Sequence, residues 1–227
     1  MSAVEKELVK THLIETGIHY RSMQASDLES ASLCFAVSFQ REPMVQCLGI
    51  SVEEFLPFAR ICCQLAIEQG LGLVAFDEQE GKIAGFTILQ DALLEIPEDT
   101  FTGHGNLIPI FEILDRLQSN YIREKNISAS GTVVVSFVTG VNLEYQGSKI
   151  AFHLFGQSME LAKALGFETM ITLVTGRFSQ NGVRRRYSFA PHSSIYYNDF
   201  QFKGETVFAN LPDTKLSCML MERNIKS

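Results

Sequence analysis

A chain of 227 residues, 46% of them apolar, is long enough to bury a full core and reads as one domain, 1–227, since no linker composition divides it. Its net charge of -7 argues against a nucleic-acid binder held by phosphate contacts, the one basic run being Arg184-Arg185-Arg186. The five cysteines are odd in number and follow no CxxC or Cys/His spacing, so they read as reduced thiols of a cytoplasmic protein with no metal site.

The first residues, MSAVEKELVKTHLIETG, mix charged and apolar positions without a secretory core, and no later stretch is apolar for long enough to span a bilayer. Residues 18–23, IHYRSM, read as a strand. Ser26 and Asp27 then open a helix on which Leu28, Ala31, Phe35 and Phe39 recur with helical period. In SVEEFLPFARICCQLAIEQG, Ser51 is an N-cap, Glu54 completes a capping box and Gly70 is the stop, while Pro57 is expected to kink or split the helix. LGLVAFDEQEGKIAGFTILQD predicts a hairpin turning around residues 77–81. The segment 91–131 reads as an insertion over a site or at the surface, with a helix over 107–125, Asn106 as its N-cap and Pro109 in its first turn.

TVVVSFVTGVNL is long and β-branched enough for a central strand over 133–141. A small polar loop, Gln146-Gly147-Ser148-Lys149, leads into a helix that begins at Ile150 and stops at Gly166; ETMITLVTG follows as another buried strand. Strand, loop, helix and strand together form the unit that builds a parallel crossover. FSQNGVRRRYSF then predicts a short helix, and GETVFANLPDTKLSCMLMER two strands joined through Asn210-Leu211-Pro212-Asp213. The fold class is α/β, a mixed sheet flanked by helices.

A helix N-terminus leaves main-chain N–H groups unpaired and attracts anions, and a glycine lets a phosphate come close. Gly147, Ser148, Lys149, Ile150 and Ala151 offer such donors, but a plain strand-to-helix turn accounts for the same residues, and the loop is neither a Walker A motif nor GxGxxG. The pattern Val141-x-x-Glu144-Tyr145-Gln146-Gly147-x-x-Ile150-Ala151 resembles the acetyl-coenzyme A loop of the GNAT superfamily of N-acetyltransferases, Arg/Gln-x-x-Gly-x-Gly/Ala. Gln146 and Ala151 match its ends, while Lys149 stands at its central glycine. The resemblance runs over residues 18–222. It implies a mostly antiparallel sheet whose central strand splays from the next, with the pantetheine arm in the gap and the main chain near Val141 pairing with it.

Three shorter segments are similar to the invertebrate-type arylalkylamine N-acetyltransferases: FAVSFQREPM, TGRFSQ and GETVF. By that resemblance Glu42 is the general base for an amine that is protonated at neutral pH, and Thr175 and Ser179 orient the substrate or supply the thiolate's proton. In the wider superfamily a tyrosine in the helix after the fifth strand is the acid, and Tyr187 lies near that place. Read without the family, Glu42 is a solvated residue before a proline turn, Ser179 an N-cap and Tyr187 a core residue.

Other groups point less clearly to chemistry. His19, His104, His153 and His192 lack metal spacing, and Ser136 and Ser148 lack the partners of a serine hydrolase. Arg184 to Arg186 suit either the 3'-phosphate of coenzyme A or a solvated helix face, and Tyr196, Tyr197, Phe200 and Phe202 either an amine pocket or strand core. The expectation is an acetyl-coenzyme A dependent N-acetyltransferase acting on a small arylalkylamine-like amine, with no nucleic-acid or membrane partner. Its rivals are a polyamine, amino-acid or protein-amine acetyltransferase, and a degenerate GNAT-like binding domain.

Overall fold

Long apolar runs of Val, Ile and Phe become strands buried on both faces, and that is how they are used here. The computed structural model describes residues 17–94 and 105–226; the readings made on residues 1–16, on His104 and on the 95–104 part of the insertion lie outside the described residues. Strands β1 (Ile18–Ser22), β2 (Gly72–Asp77), β3 (Lys82–Asp91), β4 (Val133–Val141), β5 (Thr169–Val174), β6 (Ala190–Tyr196) and β7 (Ser217–Asn224) form one seven-stranded sheet in the order β1-β2-β3-β4-β5-β7-β6. Every neighbouring pair is antiparallel except β4 and β5. The mixed, mostly antiparallel α/β architecture expected from the sequence is therefore the one observed.

Two apolar layers cover the sheet. On one face lie α1 (Leu28–Ser38), α2 (Pro43–Leu48), α3 (Val52–Gln69) and α4 (Ile108–Glu124), packed on Val74, Phe86, Val133 and Val135. On the other lie α5 (Ile150–Ala164) and Val183 of α6 (Arg177–Tyr187), packed on Leu73, Ala84, Val134 and Met170. Val133, Val134 and Val135 thus alternate between layers, as the two-residue period of a strand requires.

Local signals were obeyed where both halves of the signal lie within a few residues. Ser51 and Glu54 form the reciprocal capping box, and Gly70 closes α3 in the left-handed conformation at φ 68°. Three expectations fail. Helix α3 runs unbroken through Pro57; the hydrogen bond that proline forgoes would go to the carbonyl of Glu53, and both residues are exposed, so water replaces it. Leu107, not Asn106, caps α4, because a 3-10 turn over Gly105–Leu107 precedes it and the Asn106 side chain donates instead to Glu54 at 3.3 Å. The two C-terminal strands expected over 204–223 are one, β7; GETVF forms a turn around an isolated Phe202–Glu205 bridge, since Lys203 and Gly204 reverse the chain with φ 50° and 85°. The partner of β7 is β6, an edge strand that tolerates Pro191 because one side needs no ladder.

The β4–β5 pairing decides where a ligand can enter. These strands pair from Val133 opposite Thr169 to Ser136 opposite Thr172 and no further. Beyond that, β4 stays with β3 as far as Val141, and β5 stays with β7 as far as Val174. On β4, Ser136 faces Leu89 and Val138 faces Ile88, which leaves Phe137 without an opposite residue: a β-bulge where the strands part.

Candidate active site

The sequence Glu42-Pro43 is a helix start. Helix α1 gives way to a 3-10 turn over Phe39–Arg41; Glu42 is the N-cap of α2, with Pro43 at the first helical position, where its missing N–H costs nothing. The Glu42 Oε2 accepts from the Val45 N–H at 2.9 Å. That cap holds the carboxyl inward. Its other oxygen, Oε1, is buried with no hydrogen-bond partner.

Burial raises the Glu42 carboxyl from the usual 4.5 to about 7, against the opposing pull of the Val45 and Met44 N–H groups and the nearby Thr175 hydroxyl. The group therefore titrates near neutral pH. Beneath it lie Tyr197, whose hydroxyl donates to the Thr175 carbonyl at 2.7 Å, and the buried Cys218. Burial holds both of their protons well above the ordinary range, so neither adds charge beneath Glu42.

Glu42, Ser136, Thr175 and Ser179 line one cleft of about 1020 Å³ that enters the splay between β4 and β5. Its opposite wall is aromatic, with Phe39 and Phe55 stacked at 5.5 Å between ring centres and Phe58 against Phe111 at 4.6 Å. Glu112 and Asp115 of α4 reach the rim. The Ser179 hydroxyl donates to the Gly176 carbonyl at 2.8 Å, and Gln180 ties α6 to the ends of β5 and β7 through Val174 and Ser217.

Two other expected groups lie elsewhere. Tyr187 packs on Phe155 and donates to the main-chain carbonyl of Phe152, and it is not among the residues lining the cleft. The aromatic run from Tyr196 to Phe202 is not an amine pocket: Tyr197 and Phe200 are core residues packed on Phe208, and Tyr196 is exposed. No group of three or more potential metal ligands occurs among the described residues, and none of their helices is long and apolar enough to cross a membrane.

The loop after β4 is braced from below. Tyr145 donates to Asp77 at 2.7 Å and Lys82 pairs with Glu144 at 2.7 Å, fixing the loop to the β2–β3 hairpin. The Ser148 N–H donates to the Tyr145 carbonyl and the Ile150 N–H to the Ser148 Oγ. The N–H groups of Gly147, Lys149, Ala151 and Phe152 have no acceptor among the described residues. Gly147, at φ 81°, is the position here that demands glycine. Lys149, at φ -86° and ψ 5°, sits without backbone strain and is exposed. The Gln146 side chain accepts from Arg41, a contact between segments 105 positions apart that sequence patterns did not signal.

No family model matches the sequence, and no curated protein matches it. Solved structures do match: the C-terminal condensation domain of Ebony in complex with beta-alanyl-dopamine superposes with a TM-score of 0.81 at 17% identity over 91% of this chain and 98% of that one. Arylalkylamine N-acetyltransferase 2 from Aedes aegypti gives 0.72 at 19% identity over 92% and 99%. The fold is that of the GNAT N-acetyltransferases. The Drosophila melanogaster polyamine N-acetyltransferase shares that fold as well, with a TM-score of 0.67 at 15% identity over 91% and 99%. The splayed β4–β5 pair and the loop-helix that follows it are thus parts of a GNAT fold in this chain.

Proposed function

We propose that the protein is an N-acetyltransferase that moves an acetyl group from acetyl-coenzyme A to the primary amine of a small, arylalkylamine-like molecule by direct transfer. The observation that carries this reading is the Glu42 carboxyl, buried, titrating near 7 and with one oxygen unpartnered, in a cleft that opens into the β4–β5 splay. The unpartnered N–H groups of Gly147, Lys149, Ala151 and Phe152 fit a diphosphate, and the free edge of β4 from residue 137 to Val141 fits the amides of a pantetheine arm. Acetyl-coenzyme A, when bound, supplies an acyl group on a good leaving group.

The chain's own residues do the rest. The unpaired Oε1 of Glu42 accepts a proton from the amine, directly or through one water, and Thr175 stabilises the charge state of that carboxyl. Ser179 is the proton source for the departing thiolate, because it lines the cleft and Tyr187 does not; its hydroxyl must turn from the Gly176 carbonyl to act. The aromatic wall of Phe39, Phe55, Phe58 and Phe111 suits an aryl ring. Asp115 keeps a diamine in contention, since a second ammonium would meet it in the cleft; Glu112 is paired with Arg116.

The test is release of coenzyme A thiol with a panel of dopamine, tryptamine, agmatine and spermidine. Turnover highest with the aromatic amines is expected, and turnover confined to agmatine and spermidine moves the assignment to polyamines. Acetyl-coenzyme A binding without turnover of any amine returns the chain to a binding domain. In the same assay, Lys149→Gly is expected to weaken acetyl-coenzyme A binding by several-fold, because it removes a charge and adds backbone freedom where none is needed. A gain in affinity would show that the lysine obstructs the loop.

A further inference from the structure

Arg41, at the end of the turn over Phe39–Arg41, reaches the loop after β4. Its guanidinium donates to the neutral Gln146 amide oxygen, and no carboxylate pairs with it among the described residues. Arg21, Arg60, Arg116 and Arg177 each have an acidic partner, whereas Arg123 and Arg223, like Arg41, donate to neutral oxygens, and of these three only Arg41 stands beside the loop after β4. The neighbouring Glu42 does not serve, because its carboxyl is turned inward onto the Val45 N–H. In a chain of net charge -7, an exposed guanidinium held against a neutral amide leaves most of its N–H donors unused. They lie beside the loop whose Gly147 and Lys149 N–H groups lack acceptors.

Resting on the acetyltransferase reading, we propose that Arg41 is a direct ligand of the donor's diphosphate, so that the anion is held from both sides of the cleft mouth. The Gln146 side chain is then the tether that aims Arg41, not the principal phosphate contact. Two further cations stand around the same helix start: Lys149 precedes Ile150, and Arg186 lies over the Phe152 ring at 4.6 Å. Burial first, and then these two charges, keep the His153 imidazole below its ordinary range. A guanidinium bound to phosphate forms charge-assisted hydrogen bonds, each stronger than the amide contact it keeps in the free protein.

The same connection links the two substrates. Arg41 and Glu42 are adjacent, so the residue that holds the donor also anchors the turn that presents the base. The experiment compares two donors, acetyl-coenzyme A and the phosphate-free thioester S-acetylpantetheine, in the wild type and in Arg41→Met and Arg41→Lys. The ratio of kcat/KM for the first donor to that for the second is expected to fall about 10- to 100-fold in Arg41→Met, and less in Arg41→Lys, which keeps the charge. An equal loss with both donors makes Arg41 a brace for the loop and overturns the inference, as does an unchanged ratio. Failure of the wild type to bind acetyl-coenzyme A in calorimetry overturns the acetyltransferase reading itself. Binding by the wild type that Arg41→Met leaves intact removes Arg41 alone.

Discussion

Replacing Glu42 with glutamine is expected to lower turnover about 10²–10⁴-fold, the range typical of losing a general base. It is also expected to remove the inflection of kcat/KM near pH 7, leaving only the rise due to deprotonation of the free amine, and to make the protein more stable at alkaline pH. The stability effect follows from burial. At pH 4 the carboxyl holds its proton in folded and unfolded chains alike. As pH rises past the usual 4.5, the unfolded chain releases that proton while the folded chain keeps it up to about 7. The folded state binds more protons across this window, so stability falls with rising pH and levels off above it. The gap between 4.5 and about 7 corresponds to about 3 kcal/mol at pH 8. Glutamine, which never ionises and still offers an oxygen to the Val45 N–H, recovers that amount. Urea midpoints of both proteins at pH 4 and pH 8 check it: coincidence at the lower pH and a more stable variant at the higher one are expected. A wild type and variant that differ by the same amount at both pH values would place the Glu42 titration near 4.5 and remove its fitness as a base.

The parts of this fold legible in the sequence are those whose causes lie close together in the chain. The capping box of Ser51 and Glu54, the turn between β2 and β3, and the helix begun at Ile150 each need only a few neighbouring residues. Strand β6 was missed because it is an exposed edge with a proline and no apolar alternation, so its pairing with β7 is set by the sheet and not by its own pattern. The bulge at Phe137 is invisible for a related reason: it depends on the register of β3. At the site, Glu42, Thr175 and Ser179 were placed by resemblance, since nothing in their spacing says that a helix cap, a strand end and a helix start will share one cleft. The Arg41 contact to Gln146 belongs to tertiary structure alone.

Glycine 140 joins the packing of this core to the position of the base. A Cβ at Gly140 would lie 2.4 Å from the Ser38 Oγ and 2.5 Å from the Phe86 Cε1, closer than atoms can sit. Ser38 ends α1, four residues before Glu42, and its hydroxyl is bound to the Phe35 carbonyl at 3.0 Å. Phe86 is fully buried against Phe35, at 5.0 Å between ring centres, so it has nowhere to retreat. The end of α1 must therefore lift from β4, and the turn that carries Arg41 and Glu42 moves with it. Gly140→Ala is expected to destabilise the protein by about 1–3 kcal/mol through overpacking. A displacement of the base of about 1 Å is enough to cost up to about 10²-fold in kcat. Adding Ser38→Ala, which removes the nearer clash and leaves the one with Phe86, should restore part of both losses. This pairing of signs separates the two kinds of residue at the site: Gly140→Ala lowers turnover and stability together at every pH, whereas Glu42→Gln lowers turnover and raises stability at pH 8. If Gly140→Ala unfolds at the wild-type urea midpoint, the close approach of α1 to β4 is not what sets the base in place.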